Sequence, residues 1–392
     1  MKLPVYLDNN ATTPVDPVVL EAMLPWFTGK FGNAASKDHS YGWEAEGIVK
    51  ISRRKIAEFI GAKPGEIIFT SGATEAINLA HFGISGTYRS KGRHIITSAV
   101  EHNAVLDSLN VLRQQGFEIT ILPVDNLGRI SVESLGNSIR NDTILVSVMT
   151  ANNETGNVYD IDAIGRICRE RNVLFHTDAS QAIGKVPFRI DNVDLASFSA
   201  HKIYGPKGIG ALYIRGKDPS VKIRPQIYGG GHENGLRSGT LNVPAIVGFG
   251  KAIEIASEQF ESDSGRISSY RDRMLNAFEK DPGAIQINGD PDNHLPNNLN
   301  ICFEGVRSEN LIMNMRNVAV STGSACTSAS LKPSHVLKAM GLSDELAKSS
   351  VRFGPGRFNT DEEIDFVIKE IRRAVNELRE KSPLNIKENI IH

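Results

Sequence analysis

The sequence predicts an α/β fold: a mostly parallel sheet of seven strands flanked by helices, followed by a smaller α+β unit. Three observations carry this expectation: seven short β-rich runs across residues 66–215, helical patterns between them, and a change of texture after about residue 258. Repeated strand–helix alternation is the mark of parallel strands joined by crossover helices. The runs are nearly continuous in apolar residues, as strands covered on both faces should be.

In chain order the strand candidates are EIIFTS, HIITSAV, EITILPV, ILVSVMTAN, VLFHTDA, DLASFSAHK and GALYIR. The helix candidates between them are TEAINLAHF, NAVLDSLNVLRQQG, VESLGNSIRN and DIDAIGRICRERN. Beyond residue 258, SEQFESDSGRISSYRDRMLNAFEK reads as a polar, amphipathic helix, and LNICFEGV and NVAVSTGS as strands. SHVLKAMGL and a long final helix follow. That last helix is expected to begin at Thr360, because Glu363 three residues on completes a capping box. Its apolar face is Ile364, Ile368, Ile371, Val375 and Leu378.

Composition narrows the function classes. The 392 residues are 40% hydrophobic and 23% charged, as in a soluble globular protein with a large core. A net charge of −1 gives no broad electrostatic hold on nucleic acid, so none is expected as a partner. The start, MKLPVYLDNNATT, has no apolar signal-peptide core. No apolar run approaches the ~20 residues of a membrane helix, so no membrane association is expected. Cys168, Cys302 and Cys326 are too few for a disulfide scaffold and point to a reducing cytoplasm.

Polar residues gather just after successive strands: Ser71 to Glu75, Glu101 to Asn103, Asn152 to Glu154, Asp178 with Gln181, and Ser199 with His201 and Lys202. In an open parallel sheet the carboxyl ends of the strands form the ligand crevice, so five strands deliver polar groups to one rim. The small-residue loop TSGATE leads into a helix and offers backbone N–H groups to an anion. It is neither a Walker loop nor GxGxxG, which favours a single phosphate over a nucleotide triphosphate. An ordinary helix start capped by Ser71 or Thr74 is the competing reading.

Asp178 ends a strand inside the sheet, where a carboxylate needs a partner. It could be a buried ion pair or a helix cap; it could equally face a protonated ring nitrogen. Lys202, in SAHKIYGPKGIG, can form a Schiff base if it sits in the crevice, whereas Lys207 reads as solvated. A lysine, an acid for a pyridinium nitrogen and a phosphate cradle together make the pyridoxal-phosphate (PLP) combination. Cys168 and Cys302 fall at core spacings. Cys326 lies in STGSACTSAS, a run of small residues without periodicity that reads as an exposed loop carrying a candidate reactive thiol.

These residues match a known pattern. From YLDNNATTPV to VRFGPGRFNTDEEID the chain resembles the cysteine desulfurases of the NifS/IscS type, PLP enzymes of fold type I in the class V aminotransferases. The motifs are TSGATEAINLA, VEHNAV, ANNETG, HTDASQAIGK, SAHKIYGPKGIGALY, GGGHENGLRSGT and STGSACTSAS. The resemblance implies a PLP cofactor joined to Lys202, with Asp178 on the ring nitrogen, Gln181 on the phenolic oxygen and His102 stacked on the ring and moving protons. It implies that Ala73, Thr74, Ser199 and His201 bind the phosphate, that Asn153 contacts cofactor and substrate, and that Arg352 holds the carboxylate of the L-cysteine substrate. Thr240 would reach the phosphate of a neighbouring subunit, making a homodimer. Cys326 would take the sulfur as a persulfide and pass it to an acceptor protein such as an iron–sulfur scaffold. No metal ligand is implied. The expected division is a large PLP-binding domain over residues 14–257, with 1–13 and 258–392 forming a small domain that carries Cys326. A selenocysteine lyase, or another PLP-dependent lyase or aminotransferase, is the alternative reaction, and a non-catalytic scaffold is the alternative from another class.

The chain departs from the pattern in three places: Ala200 where glycine is usual, Gly354 where serine is common, and FGNAASKDHSYG, one residue longer than the usual loop around His39.

Overall fold

The computed structural model describes residues 1–280, 285–322 and 332–381. Its first strand, β1 (Val5–Tyr6), is followed by β2 (Ile67–Thr70), β3 (His94–Ser98), β4 (Glu118–Leu122), β5 (Thr143–Ser147), β6 (Leu174–Asp178), β7 (Leu195–Ser199) and β8 (Gly210–Ile214). Strands β2 to β8 are the seven expected runs, and they form one sheet in the order β2-β8-β7-β6-β5-β3-β4. Only β8 runs antiparallel to its neighbours. The expected helices lie between the strands at Ala73–Tyr88, Asn103–Gln114, Val132–Ser138 and Ile161–Glu170.

Alternation along the strands explains why both faces are covered. Phe69, Val146, Phe175, Ala196 and Tyr213 join one apolar cluster with the helices Ser40–Ile60 and Val243–Glu258. Their neighbours Ile68, Leu145, Leu174, Leu195 and Leu212 join another with the helices Ala73–Tyr88 and Asn103–Gln114. Successive side chains of a strand point to opposite faces, so each strand serves both clusters.

The C-terminal part adds β9 (Ile285–Ile287), β10 (Leu299–Phe303), β11 (Val318–Ala319) and β12 (Ser350–Phe353). A three-stranded antiparallel sheet has the order β12-β10-β9, and β1 pairs in parallel with β11. Its core joins β1, β10 and β12 to the helices Phe260–Glu279 and Asp361–Glu380. Phe278, Phe303 and Phe353 meet there with ring centroids 5.7–6.3 Å apart. The final helix opens with the expected box: Thr360 accepts from the Glu363 N–H while Glu363 accepts from the Thr360 N–H. Of its expected face, Ile364, Ile371 and Val375 are buried, and Ile368 and Leu378 pack at the margin. Among the described residues no helix is long and apolar enough to cross a membrane.

Two departures from the family pattern fit their surroundings. Ala200 is fully buried. His39 caps the helix Ser40–Ile60, its Nδ1 accepting from the Gly42 N–H.

Candidate active site

A cavity of about 450 Å³ opens at the carboxyl ends of the sheet strands, within the roughly 300–1,000 Å³ of small-molecule and cofactor sites. Ala73, Thr74, His102, Asn153, Asp178, Gln181, Ser199, His201, Lys202 and Arg352 all line it. Ten of the twelve site residues expected from the sequence thus come together. Thr240 is exposed and lies outside this lining. Cys326 lies outside the described residues.

The strands that bring these groups here are layered on one face. Leu145, Leu174 and Leu195 pack in the apolar cluster. Two residues on in each strand stand Ser147, His176 and Ser197, and two further on Met149, Asp178 and Ser199, which line the cavity. The middle layer is a closed run of hydrogen bonds whose direction can be read. The Ser108 hydroxyl donates to the Val105 carbonyl, so Ser108 must accept from Nδ1–H of His81 at 2.7 Å. His81 Nε2 then accepts from the Ser147 hydroxyl at 3.0 Å. Ser147 accepts from Nδ1–H of His176 at 2.8 Å, and His176 Nε2 accepts from Ser197 at 2.9 Å. Each neutral imidazole has one donor and one acceptor, and all are used. Burial pushes both histidines toward the neutral form, His81 down to about 3. The run ties the helices Ala73–Tyr88 and Asn103–Gln114 to the strands that end in Asp178 and Ser199.

The cradle at the start of the helix Ala73–Tyr88 is completed from a distant strand. Neither Ser71 nor Thr74 caps it; the N-cap is Gly72, and Ser199 Oγ accepts from the Ala73 N–H at 2.7 Å. A Cβ on Gly210 would lie 2.7 Å from the Gly72 Cα, so glycine is needed where β8 passes the loop. The Ser71 N–H donates to Glu75, which also takes Arg237 at 2.8 Å. Arg53 pairs with buried Glu233 at 2.6 Å, and Glu233 accepts from the Phe69 N–H. Both pairs fasten the segment that carries Thr240 to the cradle.

Lys202 Nζ donates to the main-chain oxygens of Asn10 and Ala11, each at 2.7 Å. Gln181 Nε2 donates to the same Asn10 oxygen at 2.8 Å. Asp178 is buried, and its Oδ1 accepts from the Ser180 N–H. His102 caps the next helix, with Nδ1 accepting from the Ala104 N–H at 3.1 Å. His201 bonds to Thr12 Oγ1 at 3.0 Å; burial, with Lys202 and Lys207 nearby, lowers its pKa to about 4. Lys207 is exposed, as expected, yet reaches the cavity mouth. Asn152 shapes the turn that presents Asn153: its Oδ1 accepts from the N–H groups of Glu154 and Thr155. Arg352 donates to the Asn153 carbonyl at 2.7 Å and to Asp8 at 2.6 Å.

Sequence reasoning overlooked the segment Asn10–Ala11–Thr12, which forms one wall. A Cβ at Gly354 would come 2.2 Å from Asn10 Oδ1, so glycine there makes room for Asn10. The flanks of the segment that carries Cys326 also converge here. Ser321 pairs its main chain with Arg352, and His335 Nε2 bonds to the Glu101 carbonyl and lines the cavity. Glu101 is wholly buried, and burial raises its pKa to about 8. Cys168 and Cys302 are buried, and burial raises both thiols, Cys302 to about 11.

The cavity suits PLP on its own evidence. It joins a helix-start cradle, an amine and a buried carboxylate. Asn10 and Ser180, both in its wall, hold buried polar side-chain atoms that have no partner among the described residues. Buried polar atoms of this kind call for a polar ligand group.

Comparison with known proteins agrees. The aminotransferase class-V family model matches residues 5–367. The chain is 54% identical over 386 residues to "Cysteine desulfurase IscS" of Anaeromyxobacter sp. (strain K), covering 98% of this chain and 95% of that protein. It is 54% identical over 388 residues to the protein of the same name from Klebsiella pneumoniae subsp. pneumoniae, covering 98% and 96%. Among solved structures, a "NIFS-LIKE PROTEIN" superposes with a TM-score of 0.88 at 39% identity, covering 95% of this chain and 99% of that one. "SspA in complex with cysteine" superposes with a TM-score of 0.80 at 36% identity, covering 91% and 100%. The chain therefore belongs to the PLP-dependent class-V aminotransferase family, among its cysteine desulfurases.

Proposed function

We infer that the protein converts L-cysteine to L-alanine and takes the sulfur as a persulfide on Cys326. The observation that carries this is Lys202, Asp178 and the Ala73 cradle in one cavity, within a chain 54% identical to cysteine desulfurases. Bound there, PLP supplies an electrophilic carbon for the substrate amine and a ring that takes up the electrons released at the α-carbon.

The chain's own groups do the rest. Lys202 holds the cofactor covalently and then moves the α-proton with His102. Asp178 keeps the ring nitrogen protonated, and Gln181 donates to the phenolic oxygen. Ala73, Thr74, Ser199 and His201 hold the phosphate, with Thr240 of a second copy closing it in a homodimer. Asn153 and Arg352 orient the substrate, the guanidinium fork suiting its carboxylate. In the transfer, the substrate's carbon–sulfur bond breaks and a sulfur–sulfur bond forms at Cys326. Cysteine and the Cys326 thiol become alanine and a persulfide, with atoms and electrons in balance. Two facts support Cys326: the other two cysteines are buried with raised thiol pKa values, and of the residues on either side of its segment Ser321 pairs with Arg352 while His335 lines the cavity. The persulfide then passes to a protein acceptor such as an iron–sulfur scaffold, in the cytoplasm. Residues 14–257 act as the cofactor-binding domain, and the separate apolar cluster of the C-terminal part supports a small domain formed by 1–13 and 258–392.

Incubation with cysteine, followed by mass spectrometry of the protein and assay of alanine, tests this. One sulfur atom on Cys326 and matching alanine are expected, and Cys326→Ser should bind PLP and cysteine yet form no persulfide. Release of sulfide by that variant at the normal rate would remove Cys326 from the reaction.

A further inference from the structure

We propose that Lys185 is a positioning residue for the cofactor, acting through the side-chain amide of Gln181. The inference rests on the reading that PLP is held at Lys202. Lys185 is half-buried behind the cavity wall and does not line the cavity itself. Its Nζ donates to Gln181 Oε1 at 2.9 Å, while Gln181 Nε2 donates to the Asn10 carbonyl oxygen at 2.8 Å.

Those two bonds select one of the two orientations an amide can take. A main-chain carbonyl oxygen only accepts, so the NH₂ end must face Asn10, and the oxygen end then needs a donor, which Lys185 supplies. Burial, with Lys202 and Arg352 nearby, pushes the Lys185 amine well below its usual pKa. The bond survives either way, since a neutral amine also donates.

The Asn10 oxygen also accepts from Lys202, so the Gln181 NH₂ group and the Lys202 amine converge on one atom. Gln181 Nε2 has a second N–H, and Gln181 lines the cavity. That N–H is suited to an oxygen anion beside Lys202, which in PLP is the phenolic oxygen. A donor there stabilises the anion and lowers the proton affinity of the adjoining nitrogen. Without the Lys185 amine, Gln181 Oε1 loses that donor, the amide is held at one end only, and its second N–H is less firmly directed at that anion.

The test is a pH titration of the visible absorbance of the PLP-loaded protein for wild type, Lys185→Met, Gln181→Ala and the double variant. Each single change should raise the midpoint by about one pH unit, the size of one lost hydrogen bond. The double variant should shift no further than Gln181→Ala alone, because Lys185 acts through that amide. Additive shifts would mean that Lys185 acts by its charge, independently of Gln181, and would overturn the proposal. So would an unchanged midpoint in Lys185→Met, even with a lowered melting temperature, since that marks a packing role only. Failure of the underlying reading looks different: borohydride treatment of the loaded wild type would leave no added mass on the peptide containing Lys202.

Discussion

Replacing His81 by glutamine should remove one proton's worth of acid sensitivity from the fold while keeping the hydrogen-bonded run beneath the cavity closed. His81 is wholly buried, and burial lowers its pKa from 6.5 to about 3. Between those values the unfolded chain binds a proton that the folded chain does not. The stability is therefore fully present above about pH 6.5 and falls as the pH drops toward about 3. At about pH 5 the deficit is about 1.5 pH units, or about 2 kcal/mol at 1.36 kcal/mol per unit. His176, depressed by burial and by His81, adds a loss of the same sign. A glutamine at 81 can accept from Ser147 and donate to Ser108, as the imidazole does, but does not titrate. Urea unfolding at about pH 7.5 and about pH 5, followed by the fluorescence of Trp26 and Trp43, measures the difference. Wild type should lose about 2 kcal/mol more than His81→Gln over that interval. Equal losses in the two proteins would show that His81 is not held neutral by its burial, and the directional reading of the run would fall with it.

Two further outcomes follow from the cavity wall. Gly354→Ala places a Cβ 2.2 Å from Asn10 Oδ1; it should cost about 1–3 kcal/mol of stability and weaken PLP retention, because Asn10 carries the oxygen shared by Lys202 and Gln181. Equilibrium unfolding and PLP absorbance after dialysis report both effects. Arg352→Ala removes the proposed partner of the substrate carboxylate, a charged hydrogen bond of about 2 kcal/mol, so the KM for cysteine should rise roughly thirtyfold with a smaller change in kcat. An unchanged KM in an alanine-formation assay would reassign Arg352 to holding Asp8 and the Asn153 carbonyl.

The seven strands and their intervening helices were legible because burial on both faces writes continuous apolar runs, and the final helix because Thr360 and Glu363 mark its start locally. The run ILVSVMTAN reads as one long strand, but β5 ends at Ser147. Beyond it the Val148 and Thr150 N–H groups still bond to β6 carbonyls, and this stretch delivers Met149 and Asn153 to the cavity. NVAVSTGS reads as a strand too; of its described residues, Val318 and Ala319 pair with β1, and Ser321 makes a single bridge with Arg352. Apolar periodicity records burial, and burial continues past the end of β5 through Val148, Met149 and Ala151.

The candidate side chains from Ala73 to Lys202 were legible for a local reason: each ends or follows a strand of the large sheet, whereas Arg352 and Thr240 came from the family resemblance alone. What holds them was not. Lys202 is anchored by two carbonyl oxygens near the chain start, Ala73 is capped by Ser199, and Arg352 pairs with Asp8. A main-chain oxygen is common to every residue type and leaves no trace in composition or spacing, so the Asn10 wall gave no signal of its own. A trace could still be found at one remove. Gly354 stands where serine is common in the pattern, and the space it leaves is filled by the Asn10 side chain. A departure from a family pattern at a position with no catalytic group is thus informative about packing: it marks where another part of the chain has come close enough to exclude a side chain.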